Sequence, residues 1–203
     1  INKGGWDVGS PRGGYFAPWH NPRLESGPPG ELLTLRLANE TAAFIEANQQ
    51  TPFFAFLSFY TVHGPIQTTE ELCTKYRNKA ETSGLTQNET RFAFDRRLPV
   101  RQVQDNPIYA GMVESLDTEM GRLFATLGPA VMSNTNVVFL GDNGTVQRQS
   151  VAPFDGTRAK GTPYEGGVNV PLIISGPAVQ QGGREVTALA CSVDVFATVL
   201  ELA

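Results

Sequence analysis

At 203 residues the chain is long enough to bury the core of one domain. Its hydrophobic fraction of 40%, charged fraction of 18% and formal net charge of -4 are ordinary globular values that offer no basic surface for nucleic acid. No run approaches the roughly 18 to 20 apolar residues of a transmembrane segment, and Cys73 and Cys191 form neither a metal-binding spacing nor a disulfide framework.

The chain opens on Ile1-Asn2-Lys3-Gly4-Gly5, which has neither initiator methionine nor apolar leader and reads as the middle of a longer sequence. Residues 1–30 hold seven glycines with Trp6, Tyr15, Phe16 and Trp19, a composition that predicts an irregular loop packed against a body. Over 31–49, Leu33, Leu37, Phe44 and Ile45 recur at helical spacing, with Glu31 expected in the first turn where the helix dipole favours a carboxylate. Thr51-Pro52 stops that helix. Residues 53–60 are almost continuously apolar and aromatic, the pattern of a strand buried on both faces in a parallel sheet. His63 follows at once.

Residues 69–80 predict a short polar helix, and 81–105 show no sustained period, as an insertion or surface excursion would. Pro107 suits a first helical turn, after which Tyr109, Met112, Leu116, Met120, Leu123, Phe124 and Leu127 mark one face of a long helix ending at Gly128-Pro129. Residues 136–140 read as a second buried strand, closed by Gly141-Asp142-Asn143-Gly144. A loop at 157–167 leads to a third strand at 170–175. Ser192 is placed to cap a last helix at 193–202, with Asp194 in its first turn and Val195, Phe196, Val199 and Leu200 on its apolar face. Helix, turn, strand and polar Gly-rich loop is the rhythm of an α/β sandwich, here one layered body cut at both ends, with 1–30 its packed loop and 31–203 its α/β part.

Ligands in open α/β sheets bind at the carboxyl ends of strands, where loops converge. Asp142 and Asn143 sit at such an end, and a carboxylate beside an amide carbonyl offers hard oxygen ligands for Ca²⁺ or Mg²⁺. Asp-Asn-Gly is equally a common turn. His63, just past its own strand, can protonate a leaving group or donate to an anionic oxygen, or be a structural loop histidine. Lys160, in a tight Gly-rich loop, can hold an anion as a point charge, or be a solvated surface lysine.

The wording and order of these segments resemble the sulfatases of the alkaline phosphatase-like superfamily. The likeness runs through Pro52-Phe53-Phe54, Val62-His63-Gly64-Pro65-Ile66, Tyr109-Ala110-Gly111-Met112-Val113-Glu114-Ser115-Leu116-Asp117 and Gly141-Asp142-Asn143-Gly144-Thr145. It continues through Lys160-Gly161-Thr162-Pro163-Tyr164-Glu165-Gly166-Gly167-Val168, Val170-Pro171-Leu172-Ile173 and Ser192-Val193-Asp194-Val195-Phe196. The resemblance implies a three-layer α/β/α sandwich and metal-dependent hydrolysis of a small-molecule or carbohydrate sulfate ester. By it, Asp142 and Asn143 correspond to two metal ligands, with Ca²⁺ ahead of Mg²⁺. His63 corresponds to the active-site histidine, and Lys160 to a lysine that contacts the sulfate. It also implies a periplasmic or secreted protein.

The family nucleophile is a formylglycine made from the Cys or Ser of a Cys/Ser-x-Pro/Ala-x-Arg motif, and no such motif occurs in this chain. Cys73-Thr74-Lys75-Tyr76-Arg77 has the Cys-to-Arg spacing but carries Lys75 at the Pro/Ala position, inside a predicted helix. The family's Asp-Asp strand end, which completes the metal site, is also absent. The isolated chain is therefore expected to be inactive, the parent protein to be the enzyme. The rival readings are a non-catalytic remnant or anion-binding domain of the same fold, and a phosphonate or phosphodiester hydrolase of the same superfamily. His20 has no assigned role, and Asp117 and Asp194 read as surface or capping carboxylates.

Overall fold

The computed structural model describes residues 14–19, 24–87, 91–95, 98–145 and 159–203. Trp6 and His20 lie outside them. Residues 15–17 run antiparallel to the stretch before the first helix. Ala17 N–H donates to Glu31 O at 2.9 Å and Leu33 N–H to Tyr15 O at 2.7 Å. These bonds hold Glu31 outside the helix, so α1 is Leu33–Asn48 with Leu32 as its extended N-cap, and the expected first-turn position of Glu31 is displaced. Tyr15, Trp19 and Leu24 of the loop pack with Leu33, Leu37 and Met112 in one apolar cluster, in which Tyr15 is 1% and Leu33 0% exposed. The described part of the loop, 14–19 and 24–30, packs against the body through Tyr15, Trp19 and Leu24.

The apolar stripe of α1 continues into a second cluster. Ala42 and Ile45 meet Leu123 and Leu127 of α3, Pro107–Met132, with Phe53 and Leu57 packed against them. Between these helices in the chain comes α2, Glu70–Thr82, capped by Thr69, whose side chain accepts from Leu72 N–H. α2 approaches α3 at Gly111, where an added Cβ would lie 2.6 Å from Thr68 Oγ1 and 3.1 Å from Leu72 Cβ. Only a glycine permits that crossing distance. At the start of α3, Asn106 Oδ1 accepts from Ile108 and Tyr109 N–H, with Pro107 in the first turn. Regular helix ends at Gly128 (φ 70°, ψ 170°), where the sequence predicts, and a final turn from Pro129 runs to Met132.

The excursion after α2 contains a 3₁₀ turn at Leu85–Gln87 and an antiparallel hairpin, β1 (Phe92–Asp95) with β2 (Leu98–Arg101). Its base is held by Asp105. The Asp105 carboxylate is fully buried and accepts from Arg91 Nε at 2.6 Å and from Arg101 Nη1. β3, Val137–Leu140, pairs antiparallel with β4, Leu172–Ser175, in the register Val137↔Ser175 to Leu140↔Leu172. The short helix α4, Glu165–Val168, precedes β4, and α5, Ser192–Leu202, ends the chain.

Three expectations are corrected. Residues 53–60 are not covered on both faces: burial alternates, with Phe54 64% and Phe56 82% exposed opposite the partly buried Phe53, Ala55 and Leu57. Among the described residues no backbone hydrogen bond pairs residues 53–59 with a neighbouring strand. β3 is only partly covered, and every residue of β4 is exposed. α5 has no buried residue, and its cap is Cys191 rather than Ser192: Cys191 N–H donates to Asp194 Oδ2 at 2.7 Å. The apolar periodicity of these elements encodes faces that no described residue covers. No helix among the described residues is long and apolar enough to cross a membrane.

Candidate functional site

Two loops meet at the end of β3. Gly141 N–H donates to Pro171 O at 3.0 Å, carrying the β3–β4 pairing up to Asp142. Beyond the pair, Gly144 N–H donates to Gly167 O at 2.9 Å and Lys160 N–H to Thr145 O at 2.8 Å. The approach is closer than a side chain permits, since a Cβ on Gly144 would fall 1.9 Å from Gly166 O. Gly144 is thus required for contact, not only for turning, and Gly167 for the closeness of its own loop, where a Cβ would fall 2.3 Å from Thr162 O. Tyr109 OH lies 3.1 Å from Thr145 Oγ1, fixing the same junction to the start of α3. The structure therefore brings the Asp142-Asn143 segment against the Lys160 segment, with Asp142 exposed and Asn143 and Lys160 partly covered.

His63 is positioned by a different set of contacts. Its N–H donates to Tyr60 O at 2.7 Å, and its own carbonyl accepts from Tyr15 OH at 2.8 Å, a hydroxyl that also reaches Tyr60 O at 2.5 Å. His63 Nδ1 lies 2.8 Å from Gly64 O. A carbonyl only accepts, so Nδ1 carries the hydrogen and Nε2 is the atom that takes or gives a proton. Burial pushes the Tyr15 hydroxyl far above its ordinary value, opposed in part by the His63 carbonyl contact, and pushes Tyr60 up to about 12. Both stay protonated, and Tyr15 donates, at any ordinary pH.

Asp142 Oδ and the Asn143 amide oxygen are hard donors of the kind Ca²⁺ takes, though a full shell has about six to eight oxygens. Among the described residues no group of three or more His, Cys, Asp or Glu side chains is arranged to hold a metal ion. The pair fits as part of a shell. Cys73 is a partly buried residue of α2, and Arg77 Nη2 lies 3.4 Å from its Sγ, so the Cys-to-Arg spacing is one helical turn. Asp117 is exposed on α3 and Asp194 serves the α5 cap. Sequence reasoning missed Tyr15 and Thr145 as positioning residues. An aromatic with a polar tip in a Gly-rich loop was the available signal for Tyr15; Thr145 gave none.

A profile described as "Sulfatase" matches residues 7–203. The chain is 30% identical over 182 residues to a steryl-sulfatase of Rattus norvegicus, covering 84% of this chain and 26% of that protein. It is 30% identical over 199 residues to a sulfatase of Formosa agariphila, covering 91% of this chain and 32% of that one. The chain thus spans between about a quarter and a third of these relatives' lengths. The crystal structure of Ps i-CgsB in complex with k-i-k-neocarrahexaose superposes with a TM-score of 0.68 at 24% identity, over 92% of this chain and 37% of that one. That likeness speaks to the fold, which is part of an alkaline phosphatase-like α/β sandwich. The chain belongs to the sulfatase family.

Proposed function

We propose that the protein of which this chain is part hydrolyses sulfate esters, and that the junction at the end of β3 is the metal-binding and leaving-group side of its active site. The observation that carries this reading is the clip of Lys160 N–H on Thr145 O and Gly144 N–H on Gly167 O, which holds a carboxylate-amide pair beside a cationic loop. Asp142 and Asn143 supply oxygen ligands to a Ca²⁺, which offsets anionic charge on the sulfate oxygens when bound. Lys160 holds a sulfate oxygen as a point charge. His63, with Nδ1 committed to Gly64 O, offers Nε2–H in its protonated form to the departing alcohol oxygen. The nucleophile is a formylglycine carried by a segment outside these 203 residues, and the isolated chain has no turnover.

A sulfated carbohydrate is the substrate class this reading favours, supported by the saccharide named in the Ps i-CgsB complex. The same reading places the protein in the periplasm or outside the cell, which fractionation of the source cells checks. The test of the activity is hydrolysis by the product of the complete reading frame, given matched aryl sulfate and aryl phosphate diester. Sulfate-ester preference is expected. A clear diester preference overturns the reading in favour of a phosphodiesterase, and no turnover of either favours an anion-binding domain.

A further inference from the structure

A second concavity lies outside the β3 junction. It has a volume of about 400 Å³, within the roughly 300–1,000 Å³ range of small-molecule sites. One wall is a face of α2 bearing Glu70, Cys73, Thr74 and Arg77, which fall at i, i+3, i+4 and i+7. The facing wall includes Phe16 and Gln67. Gln67 is held in place: its Oε1 accepts Tyr15 N–H at 2.6 Å, and Gly14 (φ 89°) has no Cβ where one would lie 2.2 Å from that oxygen. The amide nitrogen is left as a donor. Among the described residues neither Arg77 nor Glu70 forms a salt bridge, and Arg77 Nη2 lies 3.4 Å from Cys73 Sγ.

The lining offers one aromatic ring and two isoleucines, one amide donor, two threonine hydroxyls, a thiol, a guanidinium and a carboxylate. It suits a polyhydroxylated ring with an apolar face, better than a lone anion, which Glu70 would repel, or a hydrocarbon, which would strand the polar groups. The cavity also shares its framework with the β3 junction. Tyr15, which holds Gln67, also holds the His63 carbonyl, and Ile108 in the cavity wall adjoins Tyr109, whose hydroxyl meets Thr145.

We propose that this cavity is a saccharide subsite that takes the neutral sugar ring next to the sulfated one. Only the word "next" rests on the sulfate-ester reading; the binding of a sugar ring does not. The test is titration of the protein with lactose, with lactose sulfated on its galactose, and with inorganic sulfate, followed by backbone amide shifts and calorimetry. Both disaccharides are expected to move the amide signals of Gln67, Cys73 and Arg77, and inorganic sulfate is not. Arg77→Ala, an exposed helix position, should weaken lactose binding at least about fivefold, the loss of one charge-assisted hydrogen bond. Lys79→Ala, on α2 but outside the cavity, should leave it unchanged. The proposal is overturned if neither disaccharide moves these signals, if inorganic sulfate moves them equally, or if Arg77→Ala binds lactose as the wild type does. Lactose binding that survives a failure of sulfate-ester hydrolysis would leave the subsite standing, and hydrolysis without lactose binding would remove the subsite alone.

Discussion

Tyr15 joins the N-terminal loop to the histidine segment through one hydroxyl shared between two carbonyls, those of Tyr60 and His63. Removing it in Tyr15→Phe takes one donor from each carbonyl, Tyr60 O keeping the His63 N–H, a loss of about 1–3 kcal/mol for the two contacts together, measured by urea denaturation. The raised Tyr15 and Tyr60 hydroxyls set a sign. A group whose pKa is higher folded than unfolded gives stability that is full below the unfolded value and lost as pH rises through the folded one. Stability is therefore expected to fall from about pH 10 upward, Tyr60 contributing up to about 12, with a shallower slope in Tyr15→Phe. As candidates, Asp142, Asn143, His63 and Lys160 were legible from their loop chemistry and the family wording, and the structure brings the Asp142-Asn143 segment against that of Lys160. Tyr15 was legible only as a packed aromatic, because which carbonyl a tyrosine reaches depends on contacts 45 and 48 residues away.

Between elements, α2 is fastened to α3 by Lys75 Nζ on Glu114 Oε1 at 2.5 Å. The Lys75 hydrogen bond holds the Glu114 carboxyl below its ordinary range, and Glu114 in turn holds the Lys75 ammonium above its own. The carboxylate's share of stability is present above the ordinary glutamate value and lost as pH falls through the lowered one. The lysine's share is present below its ordinary value and lost as pH rises through the raised one. Glu114→Gln should remove both limbs, and thermal melts across pH would show it; unchanged limbs would refute the assignment. The hairpin depends on a different carboxylate. Asp105→Ala strands two arginines beside a buried site and is expected to cost about 3–5 kcal/mol, seen as an early loss of amide-exchange protection over residues 91–101. The long helix, its Gly128 break and the polar α2 were legible from periodicity and punctuation, since those are local. The hairpin was not, because 81–105 carries no alternation and its organising residue, Asp105, lies beyond the strands it holds.

Across the whole molecule, the apolar pattern of 53–60, β4 and α5 is stronger than the burial found there. Residues 53–60 carry the pattern of a fully buried strand, yet among the described residues they form no paired strand and Phe54 and Phe56 face solvent, while Ile45 and Leu57 lie in the α1–α3 cluster. Phe54→Ser and Phe56→Ser in the 203-residue chain should therefore shift stability by no more than about 0.5 kcal/mol. Ile45→Ala should cost about 2–5 kcal/mol. Equal costs in the two sets would mean that the 53–60 face is covered in solution. At this scale the account rests on the β3 junction, where Asp142 and Asn143 face a loop bearing Lys160. Its most direct test is calcium affinity and aryl sulfate turnover, measured together on the product of the complete reading frame and its Asp142→Ala variant. The account predicts that the variant loses calcium affinity and falls by about a hundredfold or more in turnover. Wild-type calcium binding and turnover in Asp142→Ala would contradict it.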